Sequence, residues 1–227
     1  MTVPHTRTQP TERSPAHYPL LLRLEGRSCV VVGGGNVAEG KVEGLVAAGG
    51  DVTVVSPELT ERLLAWFEEG RIDWNPRPYQ KGDLAGRFLA IAATEQRDVN
   101  EKVWQEAQEH SILLNAPDDP PHCNFILPAV HRQGDLVVAV SSGGRAPAFS
   151  VWLRDRIAQG IGPEYGAYLD LLGELRPQVA DRFTDPTERR RAWQRLIDGE
   201  TFEHVRRGDT GAAHRTALES IDTEEEL

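Results

Sequence analysis

The chain has 227 residues, enough for one large or two small domains, and its 39% hydrophobic and 26% charged residues are ordinary for a folded protein. Its formal net charge of −10 argues against nucleic acid as the main partner, because binding to phosphates requires a basic surface. No stretch approaches the roughly 18 consecutive apolar residues of a membrane-spanning helix, so no membrane partner is expected.

The first 17 residues are polar and rich in Thr, Pro, Arg and His. They lack the apolar centre of a secretory signal, so we expect a disordered tail over residues 1–17 and a cytoplasmic protein. Cys29 and Cys123 provide no disulfide framework. His122 directly precedes Cys123, but a neighbouring pair on a loop is poor metal geometry, so no metal site is expected.

A glycine-rich stretch follows the first predicted strand, at 28–32, and opens the first predicted helix, at 36–48. Gly33, Gly35 and Ala38 fit the pattern G-x-G-x-x-A in this strand–turn–helix setting. Gly33 permits a tight turn, Gly35 lets a pyrophosphate approach the backbone, and Ala38 lets the helix pack closely on the sheet. The N–H groups and the positive end of the helix would face the phosphates. The alternative is a glycine-rich turn in a domain that binds no nucleotide.

Strands and helices alternate along the rest of the first half of the chain. The triplet Ser56-Pro57-Glu58 predicts the start of a second helix that runs to about residue 69, with Ser56 as the N-cap. The remaining predicted elements are strands at 51–55, 72–74, 88–93 and 112–115 and a helix at 96–110. The apolar face of the first helix is assigned to Val37, Val42, Leu45 and Val46. This alternation predicts an α/β fold, with a Rossmann-type parallel, doubly wound sheet over residues 18–117.

Ligands of such sheets bind beyond the carboxyl ends of the strands. Those ends are Gly33, Ser56, Thr94 and Asn115, so we expect the cofactor there. An acidic residue usually closes the second strand and binds the ribose hydroxyls. Here Ser56 takes that position and Glu58 follows two residues later, while no nearby arginine supports a 2′-phosphate. The sequence therefore favours NAD over NADP.

The pattern changes after Asn115. Pro117 to Pro121 is rigid and turn-rich, and the segments 125–131 and 136–140 predict a β-hairpin. A loop of small residues follows the hairpin, and helices are predicted at 149–159, 165–183 and 187–197. We expect a β region over 118–147, a small helical domain over 148–204 and a flexible tail over 205–227. A packed interface is suggested by four leucines, Leu169, Leu171, Leu172 and Leu175.

Three stretches carry a resemblance to a known family. They are Gly33-Gly-Gly-Asn-Val-Ala-Glu-Gly-Lys41, Asn115-Ala-Pro-Asp-Asp-Pro120 with Asn124-Phe125, and Val140-Ser-Ser-Gly-Gly144 with Pro147. In these stretches the chain resembles precorrin-2 dehydrogenases, the family that includes the N-terminal part of siroheme synthase. The resemblance covers about residues 18–197. It implies NAD-dependent oxidation of precorrin-2 to sirohydrochlorin, with ferrous iron inserted by some members to give siroheme.

The resemblance also implies an architecture and individual site residues. The family fold is a Rossmann domain, a β dimerisation region and a small helical domain, assembled as an intertwined homodimer. The catalytic aspartate of the family corresponds to Asp118, and a serine that is phosphorylated in some members corresponds to Ser142. The cofactor contacts of the family correspond to Asn36, Val37, Pro57 and Glu58. The chain has no stretch resembling the methyltransferase region of the fused synthases, so methylation is expected elsewhere.

The substrate of this family carries many carboxylates, which the acidic chain must accommodate. The backbone N–H groups of Ser141, Ser142, Gly143 and Gly144 are candidate donors, and the fork of Arg145 matches a carboxylate. A local basic patch is expected from His131, Arg132, Arg145, Arg154 and Arg156.

Two alternatives stay open. Asp118 would, without the family match, be read as a turn cap between prolines. The whole chain could instead be an NAD-binding regulatory module without catalysis. A dehydrogenase of small acids is disfavoured, because no catalytic His–Arg pair follows the strands.

Overall fold

The computed structural model describes residues 17–117 and 119–222. The described residues form two units, divided along the chain between Leu127 and Pro128. The expected N-terminal tail, apart from residue 17, and the catalytic candidate Asp118 lie outside the described residues. Within the described part of the chain, no helix is long and apolar enough to cross a membrane.

The first unit contains a sheet of five parallel strands in the order β3-β2-β1-β4-β5. Its strands are β1 (Ser28–Val32), β2 (Asp51–Val55), β3 (Asp73–Asn75), β4 (Leu89–Ala92) and β5 (Leu113–Asn115). Its helices are α1 (Asn36–Ala47), α2 (Glu61–Glu68) and α3 (Arg97–Glu109), and a 3₁₀ turn spans Pro120–His122. The strand order reverses at β1, which confirms the predicted doubly wound α/β sheet.

The sheet is buried on both faces, which explains its uninterrupted apolar strands. Successive residues of β1 point to opposite sides, so Val31 packs with Leu63 of α2 while Val30 packs with Val103 of α3. All four of these side chains are fully buried. The core therefore holds the strand ends in fixed register.

The second helix begins four residues later than the sequence predicts. Ser56, Pro57 and Glu58 do not start α2; its N-cap is Thr60, whose Oγ1 accepts a hydrogen bond from the N–H of Leu63 at 3.3 Å. The N–H of Thr60 donates to the carbonyl of Gly34 at 3.0 Å. Residues 56–59 are instead a non-helical link beside the glycine loop, because this contact with Gly34 outweighs the local preference for a cap at Ser56.

The second unit contains a hairpin and a set of helices. Antiparallel strands β6 (Ala129–Gln133) and β7 (Leu136–Val140) precede α4 (Pro147–Ala158), α5 (Pro163–Arg182), α6 (Pro186–Asp198), α7 (Thr201–Arg206) and α8 (Thr210–Asp222). The first hairpin strand starts at Ala129, four residues after the predicted position. The preceding residues Asn124 and Phe125 are tied to β5 by hydrogen bonds and so are unavailable for the hairpin.

The predicted flexible tail is helical where the structure describes it. Helix α8 places Ala213, Ala217 and Ile221 at intervals of four residues, on one buried face. Ala217 and Ile221 pack with Leu175 in the core of this unit. Tertiary packing therefore orders α8, and the polar composition of this segment did not predict that packing. The four leucines proposed as an interface divide, since Leu175 is fully buried in this core and Leu169 is exposed.

Candidate dinucleotide site

The candidate site is the carboxyl edge of the sheet in the first unit. At the end of β1, the N–H of Gly33 donates to Val55 O of β2 at 2.9 Å. At the end of β4, the N–H of Ala93 donates to Val32 O of β1 at 2.8 Å. These bonds carry the parallel pairing to the last residue of each strand. They bring Gly33, Ser56 and Thr94 to one edge, as the sequence predicts.

Gly33 makes the tight turn that its position in the pattern predicts. Its φ is +121°, and a Cβ there would lie 2.2 Å from Ala93 O. A side chain at residue 33 would therefore meet both a strained backbone and the end of β4.

Gly34 packs closely against the backbone of Glu58, a contact that the G-x-G-x-x-A pattern does not predict. A Cβ at this position would lie 2.0 Å from Glu58 O and 2.8 Å from Ser56 Oγ. The link after β2 thus runs directly against the glycine loop. The sequence does contain a hint of this contact: residue 34 is a glycine although the pattern G-x-G-x-x-A allows any residue there.

Gly35 differs from its two neighbours because a Cβ there would meet nothing within 4 Å. It is exposed and is the N-cap of α1, with no side chain capping the helix. The first-turn N–H groups and the positive helix end therefore face open space beside a residue without a side chain, an arrangement that fits a pyrophosphate. The residues present fit a dinucleotide on these grounds.

Asn36 and Val37 lie in the first turn of α1 next to this space, and both are exposed. The assignment of Val37 to the apolar core face of the helix is wrong, since the side chain is 52% exposed while Ala38 is fully buried. An exposed Val beside an open glycine suits contact with a ligand. Ala38 packs on the sheet as its place in the pattern predicts.

The acidic residue of the first turn of α1, Glu39, is bound by residues of the link after β2 and of α2. Glu39 Oε2 accepts a hydrogen bond from Thr60 Oγ1 at 2.7 Å, and Glu39 Oε1 lies 3.4 Å from Arg62 Nη1. Arg62 also binds Glu43 at 2.7 Å. These partners offset the negative charge that would otherwise oppose a phosphate at the helix end.

The candidates after β2 have different exposures. Ser56 is 8% exposed, and its carbonyl accepts a hydrogen bond from Trp74 Nε1 at 2.9 Å. Pro57 and Glu58 lie at the surface. Pro57 and Glu58 are consequently the accessible residues of this link.

Thr94 is held by a residue that the sequence analysis missed. Asn100 of α3 is buried, and its Nδ2 donates to Thr94 O at 2.9 Å, while Gln96 N donates to Thr94 Oγ1 at 3.2 Å. Asn100 Oδ1 is buried without a partner among the described residues. The signal was an amide at helical spacing from the apolar residues Val103 and Ala107.

Asn115 holds the chain after β5. Its Nδ2 donates to Phe125 O at 3.2 Å. Asn124 adds two bonds to β5 and the residue before it, accepting from Leu114 N and donating to Ile112 O, both at 2.8 Å. Cys123 Sγ accepts from Ala116 N at 3.1 Å, and burial raises the pKa of this thiol. The described residues contain no group of three or more potential metal ligands, and Cys123 serves this loop instead.

His122 lies between two carboxylates. Its Nδ1 lies 2.7 Å from Asp119 Oδ2 and its Nε2 lies 3.0 Å from Glu101 Oε2 of α3. The hydrogen bond to Asp119, with the negative charges of Asp119 and Glu101, raises the pKa of His122.

The small-residue loop belongs to the second unit. Gly143 N donates to Ser141 Oγ at 3.1 Å, Arg145 N donates to Ser142 O at 3.3 Å, and Ala146 N donates to Ser142 Oγ at 3.0 Å. Gly143 and Gly144 have φ of +64° and +78°. Internal bonds therefore occupy the N–H groups of Gly143 and Arg145, so binding of a carboxylate by these N–H groups requires the loop to open.

The predicted basic patch is smaller than expected. Arg154 is paired with Asp155, with Nη2 and Oδ1 2.7 Å apart, and His131 Nε2 lies 2.8 Å from Ile161 O. Arg156 lies over the ring of Trp152 at 5.1 Å. Arg132 and Arg145 are exposed. Within this set of five described residues, Arg154 is thus the one whose guanidinium is paired with a carboxylate.

Comparison with protein families gives three matches along the chain. Residues 20–129 match a family described as putative NAD(P)-binding, 133–159 match one described as sirohaem biosynthesis protein central, and 164–221 match one described as sirohaem synthase dimerisation region. The dimerisation-region match includes residues 205–221 of the segment that the sequence predicts to be a flexible tail.

Curated relatives match most of this chain. It is 38% identical over 202 residues to siroheme synthase 1 of Aeromonas salmonicida, which covers 88% of this chain and 43% of the relative. It is 40% identical over 203 residues to siroheme synthase of Methylobacillus flagellatus, with 89% and 43% covered. The chain thus spans less than half the length of these relatives.

A solved structure has the same fold. The protein described as SirC, precorrin-2 dehydrogenase, aligns with a TM-score of 0.73 over 91% of this chain and 99% of its own. The two are 24% identical, so this likeness concerns the fold alone.

Proposed function

The chain belongs to the siroheme synthase family, where it matches part of the length of its relatives, and from this premise we propose that it oxidises precorrin-2 to sirohydrochlorin with NAD. The observation that carries the proposal is the open backbone at Gly35 beside the uncapped start of α1. A nicotinamide cofactor is supported by this geometry and by the NAD(P)-binding match. Precorrin-2 as the substrate is supported by the three family matches along the chain, two of which are described by sirohaem synthesis.

We propose NAD rather than NADP. The 2′-phosphate of NADP would approach the link after β2, where Glu58 is exposed. A carboxylate there repels a phosphate and can bind a ribose hydroxyl. Arg62, the arginine of the following helix turn, is already bound to Glu39 and Glu43.

The chain's own residues have separable roles in this reaction. The segment from Gly33 to Val37 would hold the pyrophosphate, with Thr94 and Asn115 at the neighbouring strand ends. The bound dinucleotide supplies the nicotinamide that accepts a hydride. Asp118 would take the proton that leaves with it, so that the products are sirohydrochlorin, NADH and one proton.

Substrate carboxylates would bind to the second unit. Arg145 offers an exposed guanidinium, and the loop Ser141–Gly144 offers backbone N–H groups, of which that of Gly143 must first leave Ser141 Oγ. We also propose a homodimer, supported by the match to the sirohaem synthase dimerisation region. Ferrous iron insertion and a cytoplasmic location stay predictions.

The test is an anaerobic mixture of the purified chain, NAD and enzymatically made precorrin-2, followed by its visible spectrum. We expect NAD-dependent formation of sirohydrochlorin, and slower formation with NADP at equal concentration. A folded chain that binds NAD without converting precorrin-2 would reject the enzyme and favour the regulatory module. Ferrous ion added to the product tests chelation separately.

The catalytic candidate has a matched pair of variants. Asp118→Asn is expected to lose turnover with little loss of NAD affinity, whereas Asp73→Asn, at the exposed start of β3, is expected to keep both. Equal turnover in the two variants would remove Asp118 from the proton transfer.

A further inference from the structure

A cluster of three side chains joins the loop after β5 to helix α3. His122 lies between two carboxylates, with Nδ1 2.7 Å from Asp119 Oδ2 in the loop and Nε2 3.0 Å from Glu101 Oε2 on the helix. The ring also lies against Trp104 of α3, with the ring centroids 5.5 Å apart. Glu101 therefore ties His122, a residue of the loop, to helix α3.

Both ring nitrogens of His122 face carboxylate oxygens. A neutral imidazole has one N–H and one lone pair, so it can donate to only one of two such oxygens. Imidazolium donates to Asp119 through Nδ1 and carries the positive charge that pairs with Glu101 beside Nε2. The geometry thus matches the protonated ring bridging Asp119 and Glu101.

The loop that this bridge holds is otherwise closed on itself. Asp119 N donates to Ala116 O at 3.1 Å, and His122 N donates to Asp119 O at 3.0 Å. Cys123 Sγ returns to Ala116, accepting from its N–H at 3.1 Å. Such bonds set the shape of the loop, while Glu101 and Trp104 tie it to α3.

We propose that His122 is a positioning residue, which fixes the loop over residues 119–123 against α3 by bridging Asp119 to Glu101. Asp118 directly precedes Asp119 in the chain, so this loop adjoins the residue proposed for proton transfer. The inference rests on the proposed function for the role of Asp118. Misplacement of a reacting group by about 1 Å can cost on the order of 100-fold in rate.

The charged and titratable groups around His122 set the pH at which the bridge opens. Asp119 belongs to the loop, Glu101 belongs to α3, and Cys123 is a neutral thiol with a raised pKa beside them. The two carboxylates raise the pKa of His122. The imidazolium that the bridge requires is therefore present below the ordinary histidine pKa and is lost as the pH rises through this raised pKa.

Two glutamates of α3 allow a matched test. Glu101 binds His122, while Glu109 is exposed and binds Lys81, with Oε2 2.8 Å from Nζ. We expect Glu101→Ala to lower the pKa of His122 in an NMR titration and to weaken the hydrogen-exchange protection of the Asp119 and His122 amides about tenfold. Glu109→Ala is expected to change neither. Unchanged protection and an unchanged His122 pKa in Glu101→Ala would overturn the proposal.

Turnover supplies the catalytic half of the test. In wild type we expect kcat to fall on the alkaline side with the pKa of His122, and in Glu101→Ala we expect this fall at lower pH, with KM for NAD unchanged. His122→Ala should lack the alkaline fall and turn over roughly tenfold slower at neutral pH. Coinciding pH profiles of wild type and Glu101→Ala would overturn the positioning role. A wild type without turnover would instead reject the proposed function, and the NMR and exchange results would still decide whether His122 bridges the loop to α3.

Discussion

The backbone of Gly34 lies against the carbonyl of Glu58 so closely that a Cβ at residue 34 would be 2.0 Å from that oxygen. Thr60 N completes the contact by donating to Gly34 O at 3.0 Å. The glycine loop and the link after β2 therefore form one structural element. A change in either segment must displace the other.

Gly34→Ala is expected to destabilise the first unit. The added methyl would overlap a backbone oxygen, which no rotamer change can relieve, so the link at 56–60 must move. We expect a loss of about 1–3 kcal/mol in the free energy of unfolding. Urea denaturation measures it, and weaker NAD binding should accompany it. A variant as stable as wild type would show that the link yields freely.

Gly35→Ala separates binding from stability. A Cβ there meets nothing within 4 Å, and the N-cap φ of −86° suits alanine. The unfolding free energy should stay within about 1 kcal/mol of wild type. NAD affinity should fall at least about tenfold, because the methyl enters the space assigned to the pyrophosphate. Calorimetric titration with NAD checks this, and unchanged affinity would place the cofactor elsewhere.

The sheet could be predicted from local pattern because its strands are buried on both faces. β1 and β2 are runs of Val that have no alternative to a core, and their observed bounds equal the predicted ones. The start of α2 could not be predicted in this way. Ser56 and Pro57 have the local chemistry of a helix start, and the competing contact of Gly34 with Thr60 connects residues distant in sequence.

Site residues could be predicted where the backbone requires a glycine, as at Gly33 with its positive φ. Residues whose role depends on a contact with a distant part of the chain were missed. Asn100 and Gly34 act through contacts with Thr94 and Glu58 that no residue pattern displays. Outside this site, the buried Glu106 of α3 was missed as well, since a charged residue in a helix is ordinarily taken to be on the surface.

Glu106→Ala is expected to cost several kcal/mol, on the order of 2–4. The carboxylate is 1% exposed and accepts hydrogen bonds from Gly82 N and Leu84 N, each at 3.0 Å, and from the Tyr79 hydroxyl. Its removal leaves these donors without their acceptor. Denaturant unfolding measures the loss, with Glu109→Ala as the exposed control on the same helix. Equal stability of the two variants would contradict the anchoring role.

Thr60→Val is expected to weaken the start of α2 by about 1 kcal/mol. The substitution keeps the shape of the side chain but removes the hydroxyl that accepts from Leu63 N and donates to Glu39 Oε2. Glu39 then loses a partner beside the end of α1, so NAD affinity should fall with stability. Thr60→Ser keeps the hydroxyl and is the control. Identical unfolding of the Val and Ser variants would sink this prediction.

The N-cap of α6 should make the second unit sensitive to acid. Asp185 accepts hydrogen bonds from Thr187 N at 2.8 Å and Glu188 N at 3.0 Å. The bond from Glu188 N, then that from Thr187 N, lowers the pKa of Asp185. A carboxylate whose folded pKa is lowered stabilises the fold above its unfolded pKa, and the stabilisation disappears as the pH falls through the folded value. The melting temperature of wild type should therefore approach that of Asp185→Asn, whose amide also caps but does not titrate, between about pH 5 and pH 2. Parallel melting curves for the two proteins across this range would contradict the cap's contribution.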